Sequence, residues 1–522
     1  MKSTFPVRCS MAALFAFLFV TATAQAQQER VDTAMIRRIR LEGLEHSQLD
    51  SITHYLTDVC GPRLTNSSGY IRATQWASKK LKEWKLSKVA LEPWGEFGRG
   101  WDLLGTQLSM KAPYYHPLIA YPYAWSPGTN GPVKGEAIAI NIRDSAAIQS
   151  GKIAVKGKVL LYSDSMHTIA DAFTPDAHRY TKEELDSLKD QFWATREMIE
   201  PYIEINERAK RFRKLLEDKG AALLITHDYG GNNGTVHGDE MLSYEKDAQM
   251  RLPVMVCNLE DFFRVERLLQ SHIPVQLEAN IETRFLDKDL NGYNVVAEIP
   301  GTDPKLKEEL VMIGAHFDSW YAGTGATDNA AGSAVMMEVM RILKTLGVQP
   351  RRTIRMVLWG GEEQGLLGSY NYVKNHFGDP SSVALKPDQA KVSAYYNLDN
   401  GSGKIRGVVL QKNEAVAPIF SAWLKPFEDL GATHVSNTNT GQTDHYTFDR
   451  VGIPGFQFIQ DPLEYLSRTH HSNVDVYDHL SLPDLKQAAT IIASFVFHTA
   501  QRDEKLPRKP LPKPEKWLYD GF

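Results

Sequence analysis

Apolar and polar positions are patterned most sharply around Val311. Val311, Met312 and Ile313 form the short apolar run of a buried strand, which passes through His316-Phe317-Asp318 into a Gly-rich loop ending at Asp328-Asn329. Val335, Met336, Val339, Met340, Leu343 and Leu346 then fall on one face of a helix over 330–346. Comparable runs predict strands over 294–299, 353–358, 393–397 and 456–459, with helices over 366–377 and 483–498. Pro483 stands at a favoured first helical position. Strands alternating with helices predict an α/β domain around a mixed, mostly parallel sheet flanked by helices.

The flanking segments are read in the same way. Residues 49–56 carry helical apolar spacing, 70–84 an amphipathic helix with a basic outer face, and 89–92 a strand that Pro93 ends. Between 117 and 282 the texture changes to short buried strands at 157–162, 220–225 and 252–256, a charged helical stretch over 182–218 and a helix over 259–269. No catalytic spacing occurs there, and His227, His237, Asp239 and Glu240 read as solvated loop residues. The expected organisation is one domain made of residues 27–116 and 283–504, interrupted by a β-rich α+β block at 117–282. A Lys/Pro-rich tail, 505–522, is expected to run extended along the surface.

Composition changes this picture mainly at the start. Lys2 and Arg8 precede an apolar run of about ten residues, and Ala24-Gln25-Ala26 has the small-residue pattern of a cleavage site. Residues 1–26 therefore read as a secretory signal peptide, too short in its apolar part to span a bilayer. The expected product is exported, periplasmic or extracellular, and has no membrane span. Losing Lys2 and Arg8 takes the formal charge from −4 to −6, which argues against nucleic acid as a partner. Cys60 and Cys257 could pair in an oxidising compartment or remain two buried thiols. With so few thiols, any metal must be held by His and carboxylates.

Such residues gather where strands end: His316, the pair Glu362-Glu363, and Asp399, with Asp328 opening a helix and His471 in a late loop. Open α/β sheets collect ligands outside the carboxyl ends of their strands. Asp328 could be only a helix cap and each of the others only a loop residue, but together they exceed what capping and solvated loops explain. Two His and three carboxylates can hold two zinc ions, with one carboxylate bridging at roughly 3.5–4 Å and room left for a shared water or hydroxide. Hydrolysis also needs a carboxylate outside the metal shell to move the proton, and Glu362-Glu363 offers one residue for each task. Asp318 is spaced to accept the other imidazole N–H of His316. Cobalt or manganese would suit the same ligands.

The ordered run H-F-D, D-N, G-G-E-E, N-L-D and H-H-S-x-x-D resembles the M28 family of di-zinc exopeptidases over most of residues 33–500. The block at 117–282 resembles a protease-associated domain. With the ending QDPLEYLSRTHHSNVD, it points to the carboxypeptidase Q branch, which hydrolyses dipeptides and unsubstituted N-termini. The resemblance implies the phosphorylase/hydrolase-like fold of zinc exopeptidases. It also implies one zinc on His316, Asp328 and Asp399, and a second on Asp328, Glu363 and His471. Glu362 would be the general base, and Asp328-Asn329 a cis peptide. His471 is preferred to His470 because the family ligand precedes a Ser or Thr, with Asp475 supporting it. Tyr465 would donate to the oxyanion. The implied substrates are small peptides with a free α-amine, and the resemblance leaves room for a homodimer. Two other readings stand beside it: a single-zinc glutaminyl cyclase on the same fold, and a non-catalytic binding protein.

Overall fold

The computed structural model describes residues 29–163 and 173–520, so the expected signal peptide lies outside the described residues. Its first sheet has eight strands, numbered here in chain order: β1 (Ser87–Glu96), β2 (Asn291–Ile299), β3 (Leu310–His316), β4 (Thr353–Trp359), β5 (Val392–Asn397), β6 (Ile405–Val409), β7 (His434–Ser436) and β8 (Gly455–Gln460). They lie in the order β1-β2-β4-β3-β5-β8-β6-β7. The central run β4-β3-β5-β8 is parallel, as expected, while β1, β2 and β6 join through antiparallel pairings.

Period-two alternation divides each central strand between two cores. Val311, Ile313 and Ala315 of β3 and Ile354, Met356 and Leu358 of β4 pack on one face. That face is covered by helices Thr33–Glu45, Ala331–Thr345 and Leu482–Gln501. Leu310 and Met312, with Val357 and Trp359, face the other side against Tyr372 and Phe448. Gly314 is required on that side: a Cβ there would lie 2.7 Å from both Trp359 Nε1 and Tyr395 Oη. Those two atoms form a 2.7 Å hydrogen bond, and Tyr395 Oη in turn donates to Asn397 Oδ1 at 2.6 Å.

The structure departs from the expected elements in several places. Pro93 does not end β1 but sits inside it, opposite Tyr293; β1 is an edge strand, where a missing N–H costs no ladder bond. Strands β6 and β7 were not anticipated. The charged stretch 182–218 is two helices, Lys182–Asp186 and Arg196–Asp218. The second sheet also has eight strands, and its long members Gly100–Ala112 and Gln276–Leu286 pair antiparallel. It therefore begins within the segment assigned from sequence to the first part of the peptidase domain, and it ends beyond 282. Of the tail, residues up to 520 are described; Trp517 and Leu518 are buried rather than lying on the surface. Among the described residues, no helix is long and apolar enough to cross a membrane.

Candidate metal centre

Parallel neighbours β3, β4 and β5 end together, which brings His316, the loop carrying Glu362 and Glu363, and Asp399 to one edge of the sheet. Asp328 reaches the same point from the irregular turn Ala326–Ala330, where the Asp328–Asn329 peptide is cis. The Asp328 carboxylate faces two histidines. Its Oδ1 lies 3.1 Å from His316 Nε2, and its Oδ2 lies 3.3 Å from His471 Nε2. Asp399 Oδ1 approaches His316 Nε2 at 3.3 Å, and Glu363 Oε2 approaches His471 Nε2 at 3.1 Å. The five residues thus form two groups that share Asp328. His470 stacks on His471 with ring centroids 3.7 Å apart and is the more distant from Asp328, at 3.8 Å.

The supports differ from expectation. The other nitrogen of His316 lies 3.1 Å from the main-chain oxygen of Asp318, whereas its distance to the Asp318 carboxylate is 3.7 Å. The Asp318 carboxylate instead accepts the N–H groups of Glu362 and Glu363, each at 3.3 Å, and the hydroxyl of Thr65 at 2.9 Å. It fixes the Glu362-Glu363 loop more than the imidazole. Asp475 does not support His471. It accepts from Thr327 N at 2.7 Å and Asp328 N at 3.1 Å, holding the turn that presents Asp328. Tyr465 is buried beside His470, and burial raises its phenol well above the ordinary value, so it keeps its proton.

Protonation in the metal-free cluster follows from burial and from neighbouring charge. Burial raises Glu363 to about 8, with Asp328 adding to the effect. Glu362 is also raised well above the carboxylate range, by burial and then by Asp399 and Asp444. Burial alone would lower both histidines. The charges of Asp399 and Glu362 instead lift His316 well above its ordinary value, and Glu363 with Asp239 does the same for His471. Despite burial, His316 and His471 hold Asp328 below the usual carboxylate range.

A divalent cation fits this donor set. Asp328 Oδ2 and Glu363 Oε1 are buried without a hydrogen bond, although buried polar atoms nearly always have one. Two triads, His316-Asp328-Asp399 and Asp328-His470-His471, each bring their donor atoms within 4.8 Å of one another. Nitrogen and oxygen donors of this kind suit zinc, with three protein ligands per ion typical of catalytic sites.

A cavity of about 370 Å³ opens onto the cluster. Its wall includes Phe192 and Met241, Leu366 and Tyr465, and Tyr519 from the tail. An adjoining recess of about 270 Å³ shares Tyr465 and Thr440 with it and is lined by Val409, Phe458 and Ile459. Sequence reading missed Phe192, Met241 and Tyr519, which have no local signal. It also misjudged Asp239, whose Oδ2 lies 3.1 Å from His471 Nδ1.

Comparison with known proteins bears on the fold and on the segment that carries these residues. The model of peptidase family M28 matches residues 294–496. Carboxypeptidase Q of Pongo abelii is 24% identical over 460 residues, covering 87% of this chain and 85% of that one. The crystal structure of a peptidase M28 precursor from Shewanella amazonensis SB2B superposes with a TM-score of 0.66 at 24% identity, covering 92% of this chain and 98% of that one. BSAP, a zinc aminopeptidase from Bacillus subtilis, gives a TM-score of 0.55 at 21% identity, with 87% and 95% covered. The fold is that of these peptidases, and residues 294–496, which carry all five candidate ligands, are a peptidase family M28 domain.

Proposed function

We propose that this M28 peptidase is an exported zinc-dependent exopeptidase, cleaving the N-terminal peptide bond of dipeptides or short peptides with a free α-amine. The observation that carries this reading is the Asp328 carboxylate, with one oxygen toward His316 and the other toward His471. His316, Asp328 and Asp399 would hold one ion, and Asp328, Glu363 and His471 a second. When bound, such ions polarise a scissile carbonyl and make a water nucleophilic near neutral pH.

The chain's own residues would do the rest. Glu362 lines the cavity without belonging to either ligand group, and its main chain is pinned by Asp318. It would take the proton of the attacking water and hand it to the leaving nitrogen. Burial raises its carboxyl well above the ordinary carboxylate range, and cations held beside it would favour the carboxylate that a base requires. The buried phenol of Tyr465 keeps a proton it could donate to the developing oxyanion. Glu363 and Asp399 line the cavity, so a free α-amine entering it would meet their negative charge. The recess behind Tyr465, with Val409, Phe458 and Ile459, suits an apolar side chain.

Metal content measured together with hydrolysis of aminoacyl amides, dipeptides and their N-acetylated forms tests the proposal. Two zinc per chain with activity confined to free amines is the expected result. One zinc with loss of ammonia from N-terminal glutamine would replace it with the cyclase.

A further inference from the structure

His316 and His471 are held in different ways. The Nδ1 of His316 meets a carbonyl two residues along its own chain. The Nδ1 of His471 meets Asp239, which lies in the loop after the strand Leu223–His227 of the second sheet. That loop is built to reach it. The Asp228 carboxylate accepts the N–H groups of His237, Gly230 and Gly231 at 2.6, 2.9 and 3.0 Å and faces the His237 ring at 2.9 Å.

The ordered loop then docks on the chain around His471 as a short antiparallel bridge. His237 pairs with Ser472, Gly238 N donates to His471 O at 2.6 Å, and Asn473 N donates to Val236 O at 2.9 Å. Val236 N in turn donates to the Asn473 side chain at 2.8 Å. A Cβ at Gly238 would fall 2.6 Å from Ala322 Cβ, so glycine there also lets the loop lie close to the segment between His316 and Asp328.

A histidine that ligates through Nε2 carries its proton on Nδ1, and the acceptor of that proton fixes both tautomer and ring orientation. We propose that Asp239 is a positioning residue for His471, so that the second sheet completes one of the two metal sites while the His316 site is complete within the M28 domain. This rests on the two-ion reading above. The two sites then differ in affinity, and only the His471 site depends on the docked loop.

The experiment is competition of the full chain with a chromophoric zinc chelator, for wild type, Asp239→Ala and Asp239→Asn, alongside thermal unfolding of each metal-free protein. Removing such a partner typically costs 10–100-fold in metal affinity, and with the Asp239 side chain 42% exposed the expected loss in Asp239→Ala is about 10-fold. It should fall on one zinc only, leaving the other affinity unchanged and the metal-free midpoint within about 1 °C of wild type, since a partly exposed pair contributes about 1 kcal/mol or less. Asp239→Asn, whose amide oxygen still accepts the hydrogen bond, should lose less. Two wild-type affinities in Asp239→Ala would overturn the proposal, as would equal loss at both sites with a lowered midpoint. A single zinc in the wild type would overturn the two-ion reading itself, and that failure shows without any variant.

Discussion

Arg63 offers the sharpest test of what holds the site together. Its side chain is fully buried, and it serves four main-chain carbonyls. Nε donates to Phe317 O at 2.9 Å, Nη1 to Leu56 O at 3.2 Å and Thr324 O at 2.7 Å, and Nη2 to Gly325 O at 2.8 Å. Phe317 follows the ligand that ends β3, and Thr324 and Gly325 open the turn that carries Asp328, so one guanidinium ties together two ligand-bearing segments. Arg63→Met keeps an apolar stem and removes every donor. Relief from burying a charge offsets part of the loss, so the low end of the 1–3 kcal/mol range per stranded carbonyl applies, or about 4 kcal/mol in all.

Unfolding entropy near 2.1 cal/mol/K per residue makes that a fall of about 4 °C in the midpoint for a chain of this size. Arg63→Lys, with three donors and no planar fork, should lose about half as much. Scanning calorimetry of the metal-free proteins reads the midpoint, and zinc titration checks that the Asp328 turn loosens with it. A midpoint for Arg63→Met within about 1 °C of wild type would mean that water replaces the guanidinium freely, and the argument would fail.

Three further outcomes are expected. Glu362→Gln should keep its zinc and lose about 10²–10⁴-fold in kcat, whereas retained turnover would remove Glu362 as the base. Asp102 accepts from Ser68 N at 2.8 Å and Oγ at 2.7 Å and from Arg284 at 2.6 Å; against the effect of burial, these hold its carboxyl below the ordinary range. Because the folded-state value is depressed, this stability is present above the unfolded carboxyl value near 3.9 and is lost as the pH falls through the folded one. Asp102→Asn should therefore cost about 1–2 kcal/mol at pH 7 in denaturant melts, with the gap closing in acid; a constant gap would refute the assignment. Cys60 and Cys257 are buried and not joined in a disulfide, with thiols raised by burial, so both should react with a maleimide only after unfolding. Prompt native labelling would contradict their burial.

What the sequence determined by itself is what depends on near neighbours along the chain. Apolar periodicity is local, so the core of β3 and the helix Ala331–Thr345 were legible. His316, Glu362, Glu363 and Asp399 stood out because each ends such a strand or follows one within a few residues. Tertiary structure decided whatever depends on which distant segments meet. Asp239 looked like any polar residue in a Gly-rich loop, and only the docking of that loop on residues 471–473 makes it a partner of His471, 232 positions away. Asp318 had the right spacing for the His316 ring, but the chain's turn aims its carboxylate at the Glu362-Glu363 amides, and no spacing rule specifies that direction. Arg63 carries no motif, because its role is set by four carbonyls that converge only once the sheet and the Asp328 turn have formed. Strands β6 and β7 escaped for a related reason: a short segment becomes a strand when a neighbour offers its ladder, and β6 pairs with β8, some fifty residues further along the chain.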